Sequence, residues 1–503
     1  MENLLKPYIK IAKALPYNEG EPVINGPSIL GISPGKKCFF TFPVRGERQM
    51  TFKIDGQLPD GIVLDQEKGI LAGQTQEEGD FYFKITVSNH HGTAKRDFQL
   101  SIYPNQIALT PVMGWTSWNA YMDSVDQQKV ILNANALVEK GLAARGYNYI
   151  NIDSCWQGHR DSETLALQPN RRFPDICNMV SDIHSLGLKA GIYSTPMVVA
   201  WGSTKFELYR GSTGYPLDPN YPHTYFGGCG QFSFEEADAR QWAEWGFDFL
   251  KYDWPVCDVE HTRRMSEALR KTDRDIILSL ATGCILEEFD LYRKYANLCR
   301  SNVDTADRWE SIRNNMLTAE KWAEQTGPGT WFDLDMLALG YMEIERNAEN
   351  PYYDPFLTDS RQNRLTRDEQ IFHMSAWALF PSSLILSCDL TMLDDFTTDL
   401  VCNEEILAIN QDRLGRGIVC VHDETVRSDS GKVIREVRVY RKELWDNKVA
   451  YGFFNLSDSE QQLNFDFEKE VFLRDAWGCR DIGRTCSVAM CLPSHGAKVL
   501  LSA

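Results

Sequence analysis

The sequence lacks the features that would place it in a membrane or on a nucleic acid. No apolar run reaches the roughly 18 residues of a transmembrane helix. Basic residues are in the minority, with 52 Lys and Arg against 70 Asp and Glu, and the formal net charge is −18. Phosphate binding needs clustered basic side chains, so neither nucleic acid nor an anionic membrane surface is an expected partner. A neutral ligand fits this charge.

Metal-binding and export signals are also missing. The 13 cysteines include no Cys-x-x-Cys pair, so the usual spacing of a structural zinc site is absent. The start, MENLLKPYIKIAK, has neither the apolar core of a signal peptide nor a small-residue cleavage site. The chain is therefore expected to be cytoplasmic, or periplasmic or secreted if a leader was removed.

The 503 residues are enough for several domains, and their patterns divide the chain into four parts. An N-terminal extension covers residues 1–21. Short alternating runs with turn residues between them predict a small β-sandwich over 22–105. Alternating apolar runs and helical patterns fill 106–412. Alternation returns over 413–503 and predicts a C-terminal antiparallel β-sandwich.

The central part predicts a closed (β/α)₈ TIM barrel, because eight apolar runs alternate with amphipathic helical stretches. The runs are Val112–Trp118, Tyr147–Asp153, Lys189–Ser194, Phe247–Asp253, Ile276–Thr282, Asn297–Ser301, Thr330–Met336 and Ser383–Asp389. A Rossmann-like sheet is the alternative fold. It requires a glycine-rich phosphate turn after the first strand, and the sequence has none there.

Polar side chains end or follow these runs, where a TIM barrel places its active site. Among them are Trp118, Asp153, Ser154, Tyr193, Lys251, Asp253, Arg300, Asp304, Asp333, Asp335 and Asp389. One such Asp alone is often only a helix cap. Five or more carboxylates on one rim repel each other unless they contact cations, a metal or sugar hydroxyls. No His ends a run, so a sugar site without metal or cofactor is favoured over a divalent-metal site.

Hydrolysis of a glycosidic bond needs two carboxyl groups, one that attacks the anomeric carbon and one that transfers the proton. Lys251 lies two residues before Asp253 on a predicted strand, so both side chains point to the same face. We expect this ammonium group to keep Asp253 ionised. The acid must start protonated, and we expect a second carboxylate nearby to raise its pKa.

Seven stretches of the central part resemble glycoside hydrolase family 27, the α-galactosidase family. They are PVMGWTSWNAY, YNYINIDSCW, GLKAGIYSTP, GFDFLKYDW, CRSNVDTADRW, GPGTWFDLDML and ILAINQD, in the order that the family has them. The resemblance implies a (β/α)₈ barrel followed by an antiparallel β-domain. Residues 22–105 resemble the immunoglobulin-like module that precedes many bacterial glycosidases, for which a packing role is favoured over sugar binding.

The resemblance also implies residue roles in a retaining enzyme. Asp253 matches the nucleophile and Asp304 the acid/base, with Asp307 as a disfavoured alternative whose simpler interpretation is a helix cap. The matches to sugar-binding residues are Trp118, Asp153, Ser154, Tyr193, Lys251, Arg300, Asp335 and Met336. Of these, Arg300 corresponds to a residue at the 2-hydroxyl, and Asp153 to one at the 4- and 6-hydroxyls.

Two departures from the family bear on the sugar. Ser154 stands where a second Asp is usual, which removes one acceptor near C4–C6 of galactose. Ala281–Gly283 replace a Cys-Glu-Trp sequence near the 2-hydroxyl.

A disulfide in family members implies that Cys229, in the long loop 197–232, pairs with Cys257. A second long loop, Tyr341–Asp359, is expected to form a rim wall or a subunit contact.

The sequence therefore predicts an exo-acting, retaining α-galactosidase. A β-L-arabinopyranosidase on the same machinery is the main alternative, because Ser154 changes the region that distinguishes the two sugars. An α-N-acetylgalactosaminidase and a non-catalytic sugar-binding protein are less favoured. A metal-dependent barrel hydrolase would lose its activity in EDTA, whereas a carboxylate pair would not.

Overall fold

The computed structural model describes residues 10–203, 207–214, 228–342 and 361–502. Its strands are β1 (Val23–Ile24), β2 (Ile29–Ile32), β3 (Lys37–Thr41), β4 (Val44–Arg45), β5 (Thr51–Gly56), β6 (Ile62–Asp65), β7 (Ile70–Gln74), β8 (Gly79–Ser88), β9 (Thr93–Ile102), β10 (Met113–Thr116), β11 (Tyr149–Asn151), β12 (Gln157–Arg160), β13 (Leu167–Pro169), β14 (Lys189–Ser194), β15 (Thr213–Gly214), β16 (Phe232–Ser233), β17 (Phe249–Asp253), β18 (Ile277–Ala281), β19 (Leu298–Cys299), β20 (Trp331–Phe332), β21 (Tyr341–Met342), β22 (Arg361–Gln362), β23 (Leu384–Leu386), β24 (Val419–Arg427), β25 (Val433–Glu443), β26 (Val449–Asn455), β27 (Gln461–Asp475), β28 (Arg480–Leu492) and β29 (Ala497–Ser502). Its α-helices are α1 (Trp118–Tyr121), α2 (Gln127–Glu139), α3 (Ile176–Ser185), α4 (Glu235–Trp245), α5 (Val259–Arg270), α6 (Phe289–Tyr295), α7 (Trp309–Trp322), α8 (Arg367–Leu379), α9 (Asp395–Val401) and α10 (Glu404–Asn410). The predicted fold class is confirmed, and the domain boundaries stay a prediction.

The N-terminal module is built from two main sheets, in the orders β2-β9-β8-β5 and β3-β7-β6. Alternation along β8 turns Phe83, Ile85 and Val87 inward, and they are buried. They share one apolar core with Phe40 of β3 and Leu71 of β7. Residues of both sheets therefore meet in one core, as the alternating sequence pattern predicts.

The central barrel is an eight-stranded parallel sheet in the order β20-β19-β18-β17-β14-β11-β10-β23. A parallel bridge between Leu337, just after β20, and Leu386 of β23 joins its two ends. These strands are almost continuously buried, which explains why they appear in the sequence as apolar runs without alternation. Each of the eight runs predicted from the sequence contains one of them.

Apolar side chains fill the barrel at the amino ends of its strands. Tyr149, Phe249, Ile277, Leu298 and Ile385 form one buried cluster there. This layer closes that end of the barrel. The open space therefore lies at the carboxyl ends of the strands.

The N-terminal module contacts the barrel at the closed end. Thr41 Oγ1 donates to the Gly187 carbonyl oxygen at 2.7 Å, just before β14. The Ser33 backbone N–H donates to Asp275 Oδ2 at 2.7 Å, just before β18. The module therefore lies opposite the end where the predicted site residues meet.

The C-terminal part is one antiparallel sheet in the order β24-β25-β26-β29-β27-β28. The sequence pattern predicts six strands here: Ile418–His422, Val433–Tyr440, Val449–Asn455, Gln462–Phe467, Val471–Asp475 and Lys498–Ser502. The fourth and fifth of these runs are one strand, β27, with a register shift between Asp466 and Val471. The sequence analysis did not predict β28. No helix among the described residues is both long and apolar enough to cross a membrane.

Candidate active site

A cavity of about 350 Å³ opens at the carboxyl ends of the barrel strands. It is lined by Trp118, Met122, Asp153, Tyr193, Trp201, Gly202, Lys251, Asp253, Pro255, Thr282, Val303 and Asp304. Six of the ten predicted catalytic and sugar-binding residues are in this lining. Arg300, Asp335 and Met336 line a smaller, deeper cavity that also includes Asp153 and Lys251. Ser154 lines neither of the two cavities.

Asp253 ends strand β17 and forms part of the inner wall of the cavity. It is 8% exposed. The phenolic O–H of Tyr193, from the neighbouring strand β14, donates to Asp253 Oδ2 at 3.3 Å. Desolvation by burial raises the pKa of Asp253 to about 7, and the attraction of Lys251 and Arg300 offsets this only in part.

The expectation that Lys251 keeps Asp253 ionised is met only in part, because Lys251 lowers the pKa of Asp253 but burial raises it more. Lys251 does share the inner face of the barrel with Asp253, as strand alternation predicts. Its Nζ, however, donates to Asp153 Oδ2 at 2.8 Å. Asp153 therefore takes the closest contact of the ammonium group, and burial decides the protonation of Asp253.

Asp304 follows β19 and lies at the mouth of the cavity, with 57% of its side chain exposed. The Arg300 guanidinium, four residues before it, places Nη2 at 2.9 Å from Asp304 Oδ1. Partial desolvation raises the pKa of Asp304, but the positive charges of Arg300 and Lys251 outweigh this and lower it below its ordinary value. The expectation of a raised pKa at this residue is therefore wrong.

Arg300 is almost fully buried and contacts three different segments. Besides Asp304, its Nη1 lies 2.5 Å from Asp335 Oδ1, and its Nη2 donates to Thr282 Oγ1 at 2.5 Å. Asp335 Oδ2 also accepts the Thr305 backbone N–H at 2.7 Å, which ties the chain after β20 to the loop that carries Asp304. The guanidinium group thus links the carboxyl ends of three strands, β18, β19 and β20.

Ser154 occupies a different place from the one that its predicted role requires. It is fully buried, and its hydroxyl donates to the Trp201 carbonyl oxygen at 2.6 Å. Trp201 and Gly202 form one wall of the cavity. Ser154 therefore holds this wall in place, and a contact with a sugar hydroxyl is not supported by its position.

Asp307 is separated from the cavity. It is 1% exposed, its Oδ2 is 2.5 Å from Arg361 Nη1, and it accepts the Arg364 backbone N–H at 2.7 Å. The cap position of the following helix, α7, is Arg308, without a side-chain cap bond. The interpretation of Asp307 as a helix cap is thus wrong, and its position supports Asp304 as the second carboxylate of the site.

The disulfide implied by the resemblance is not formed in the structure. Cys229 and Cys257 are both free thiols, the first exposed and the second buried. The Cys257 sulfur instead lies 3.2 Å from the sulfur of Cys284, which follows β18. Burial against this neighbour keeps the Cys257 side chain inside, whereas Cys229 lies at the surface.

Several cavity residues were not among the predicted site residues. Trp201 and Gly202 belong to the long loop 197–232, whose aromatic and glycine content predicted a substrate-lining role, but no single residue was identifiable. Met122, Pro255 and Val303 carry no polar group that would have distinguished them. Residues 204–206 and 215–227 of this loop, and 343–359 of the second long loop, lie outside the described residues.

Two family models match the chain. Residues 110–215 and 218–352 match a model described as alpha galactosidase A, and residues 21–103 match one described as "Putative Ig domain". The two matches correspond to the barrel region and to the N-terminal module.

Known proteins match most of the chain. Alpha-galactosidase 2 of Arabidopsis thaliana is 33% identical over 74% of this chain and 84% of its own length. Alpha-galactosidase of Cyamopsis tetragonoloba is 32% identical over 74% of this chain and 81% of its own length. Among solved structures, a "putative alpha-galactosidase" from Bacteroides fragilis has a TM-score of 0.80 at 27% identity and covers 97% of this chain and 99% of its own.

Proposed function

This chain belongs to the α-galactosidase family, glycoside hydrolase family 27, and we propose from that premise that it releases terminal α-linked galactose with retention of configuration. The similar proteins named above are α-galactosidases. The observation that carries the proposal is one cavity with a buried carboxylate, Asp253, and an exposed one, Asp304. Each of them has a cationic side chain close by, as a site that develops charge requires.

The positions of the two carboxylates favour Asp253 as the nucleophile. The leaving group must depart toward solvent, so the group that protonates it belongs at the mouth, where Asp304 lies. The nucleophile must reach the anomeric carbon from the opposite side, and Asp253 lies on the inner wall. Asp253 would form a covalent bond to the anomeric carbon while Asp304 gives its proton to the glycosidic oxygen. Asp304 would then take a proton from the water that breaks this bond.

The electrostatics of the two carboxyl groups favour the reverse of the protonation that this first step needs. With a pKa of about 7, Asp253 holds a proton in part of the molecules at neutral pH, whereas Asp304 is ionised. A productive complex needs Asp253 charged and Asp304 neutral. Sugar binding would therefore transfer one proton between the pair. Displacing water from Asp304 favours its neutral form, and the positive charge developing on the sugar ring favours an ionised Asp253.

The remaining cavity side chains are proposed to hold the sugar. Asp153 and Lys251 form an ion pair whose oxygens and nitrogen can accept from and donate to ring hydroxyls. Trp118 and Trp201 supply flat apolar walls for the ring carbons. No cofactor is needed for these steps.

A panel of substrates tests the function. We expect the purified chain to hydrolyse an aryl α-galactoside much faster than the matching β-L-arabinopyranoside or α-N-acetylgalactosaminide, and to release α-galactose first. A faster reaction with the arabinopyranoside would establish the alternative activity. Initial release of β-galactose would disprove retention, and no hydrolysis of any of the three would disprove the proposed function.

Substitution of the two carboxylates tests their roles. Asp253→Ala should leave less than about 1% of kcat on every galactoside, because no nucleophile remains. Asp304→Ala should keep activity on a dinitrophenyl galactoside, whose leaving group needs no proton. Azide should accelerate the hydrolysis of this substrate by the variant. Asp389→Asn is the matched control, since this carboxylate follows a barrel strand but lines neither cavity.

A further inference from the structure

Thr282, the first residue after strand β18, has a backbone conformation that is unusual for its side chain. Its φ is +68°, in the left-handed region. A β-branched residue is a genuine outlier there, so its backbone is strained. A glycine would occupy this conformation with little penalty. The Thr282 side chain therefore has to provide something that a glycine could not.

The neighbouring Gly283 has a different explanation for its identity. It also has a positive φ, +77°, and a Cβ atom added to it would lie 2.5 Å from the Pro255 carbonyl oxygen. A close backbone approach thus requires glycine at 283. The turn after β18 is therefore left-handed at two residues, and only the second of them is a glycine.

The Thr282 hydroxyl contacts the residue that pairs with the proposed acid/base. Its Oγ1 accepts from Arg300 Nη2 at 2.5 Å, and the same nitrogen lies 2.9 Å from Asp304 Oδ1. The other terminal nitrogen of Arg300 lies 2.5 Å from Asp335, whose φ is +74°. The guanidinium group is thus held by two residues that both have left-handed backbones.

The hydrogen bond adds a third contact to a guanidinium group that also lies against Asp304 and Asp335. Asp304 is more than half exposed, whereas Arg300 is buried. Backbone bonds already join the two loops, because Cys284 N–H donates to the Arg300 carbonyl oxygen at 3.1 Å. The side chain of Thr282 extends this connection to the guanidinium itself.

We propose that Thr282 is a positioning residue that holds the Arg300 guanidinium in register with Asp304, and that its strained backbone is retained for this contact. The inference rests on the proposed function, because it assigns the proton transfer to Asp304. A misplaced Asp304 delays protonation of the leaving group. The loss should therefore be large for substrates that need this proton and small for substrates that do not.

The leaving-group dependence of kcat/KM distinguishes positioning from a general structural defect. Thr282→Val keeps the shape and the β-branch but removes the hydroxyl, whereas Thr282→Ser keeps the hydroxyl. For an α-linked galactose disaccharide we expect Thr282→Val to lose roughly tenfold or more in kcat/KM. For 2,4-dinitrophenyl α-galactoside the loss should stay below about threefold, and Thr282→Ser should stay within about threefold of wild type on both.

An equal loss on both substrates, or no loss on either, would overturn the inference while leaving the proposed function standing. Failure of the wild-type protein to cleave either galactoside would instead disprove the proposed function. The two results are thus distinguishable in one set of measurements.

A second variant tests the strain and does not depend on the valine protein. Thr282→Gly relieves the left-handed backbone and removes the hydroxyl, so we expect an unchanged or higher Tm together with reduced kcat/KM on the disaccharide. Leu165→Gly is the matched control: Leu165 also has a positive φ, +61°, is 40% exposed and lines neither cavity. It should keep full activity. A fully active Thr282→Gly would show that the strain serves no contact with Arg300.

Discussion

Burial opposes the ionisation of Asp253, and this has a measurable effect on stability. The unfolded chain ionises the group near its ordinary pKa of 3.8, whereas the folded protein ionises it near 7. Between these pH values the folded state holds the extra proton, so its stability falls as the pH rises, by on the order of 4 kcal/mol at pH 8. Asp253→Asn cannot ionise. We therefore expect its Tm to exceed that of wild type at pH 8, and the difference to shrink toward pH 4.

The comparison needs a carboxylate without this burial. Asp55 is exposed on strand β5 of the N-terminal module, and Asp55→Asn should change Tm little at either pH. Scanning calorimetry of the three proteins at pH 4, 6 and 8 measures the effect. A constant difference between Asp253→Asn and wild type would show that the folded protein does not hold the extra proton.

At the residue scale, the sequence predicted which side chains meet better than what they do there. Asp253 and Asp304 could be identified because strand ends and family motifs mark them. Their protonation could not, since it depends on burial and on the partner that Lys251 selects. The role of Ser154 was likewise hidden, because its acceptor is a backbone carbonyl 47 residues away. That of Thr282 depends on a backbone angle that no pattern encodes.

Helix α8 joins the barrel to the C-terminal sheet through its first turn. Thr366 and Glu369 form a capping box, in which each side chain accepts the other's backbone N–H. The second oxygen of Glu369 lies 2.7 Å from Nδ1 of His495, which stacks on Trp309 of α7. Glu369 thus serves the helix end and the contact between the two parts of the molecule.

This double role predicts unequal costs for two substitutions. Thr366→Ala removes one cap bond and should cost about 1 kcal/mol, whereas Glu369→Ala also removes the partner of His495 Nδ1 and should cost about 2–3 kcal/mol. Asp175→Ala, at the exposed cap of α3, is the control for a cap alone. Thermal unfolding should show the larger loss of stability for Glu369→Ala. The kcat/KM of each variant should be unchanged, because none of these residues lines the cavity. Equal costs for Thr366→Ala and Glu369→Ala would contradict the link to the sheet.

At the scale of elements, periodicity predicted the barrel well and the C-terminal sheet less well. Parallel strands covered on both faces give unmistakable apolar runs. Strand β28 mixes buried and exposed residues irregularly, and the register shift inside β27 divides its pattern in two. Such irregular strands are recognisable only from the partner with which they pair, which the local sequence does not contain.

For the whole molecule, the decisive fact is that the N-terminal module and the cavity lie at opposite ends of the barrel. Besides the bonds of Thr41 and Ser33, strand β3 places the Lys37 backbone N–H 3.1 Å from the Asp273 carbonyl oxygen. These contacts all meet segments that precede strands β14 and β18. The arrangement favours a stabilising role for the module, in line with the packing role favoured by the sequence.

The interface can be weakened without shortening the chain. Asp275→Ala combined with Thr41→Val removes two hydrogen bonds, leaves the Ser33 amide and the Gly187 carbonyl without partners, and should cost about 2–4 kcal/mol. We expect a lower Tm, or a separate early transition for the module, with kcat and KM close to wild type. Lys84→Ala, at an exposed ion pair within the module, should change neither quantity by much. A raised KM at unchanged Tm would contradict this, because it would mean that the module influences substrate binding from the far end of the barrel.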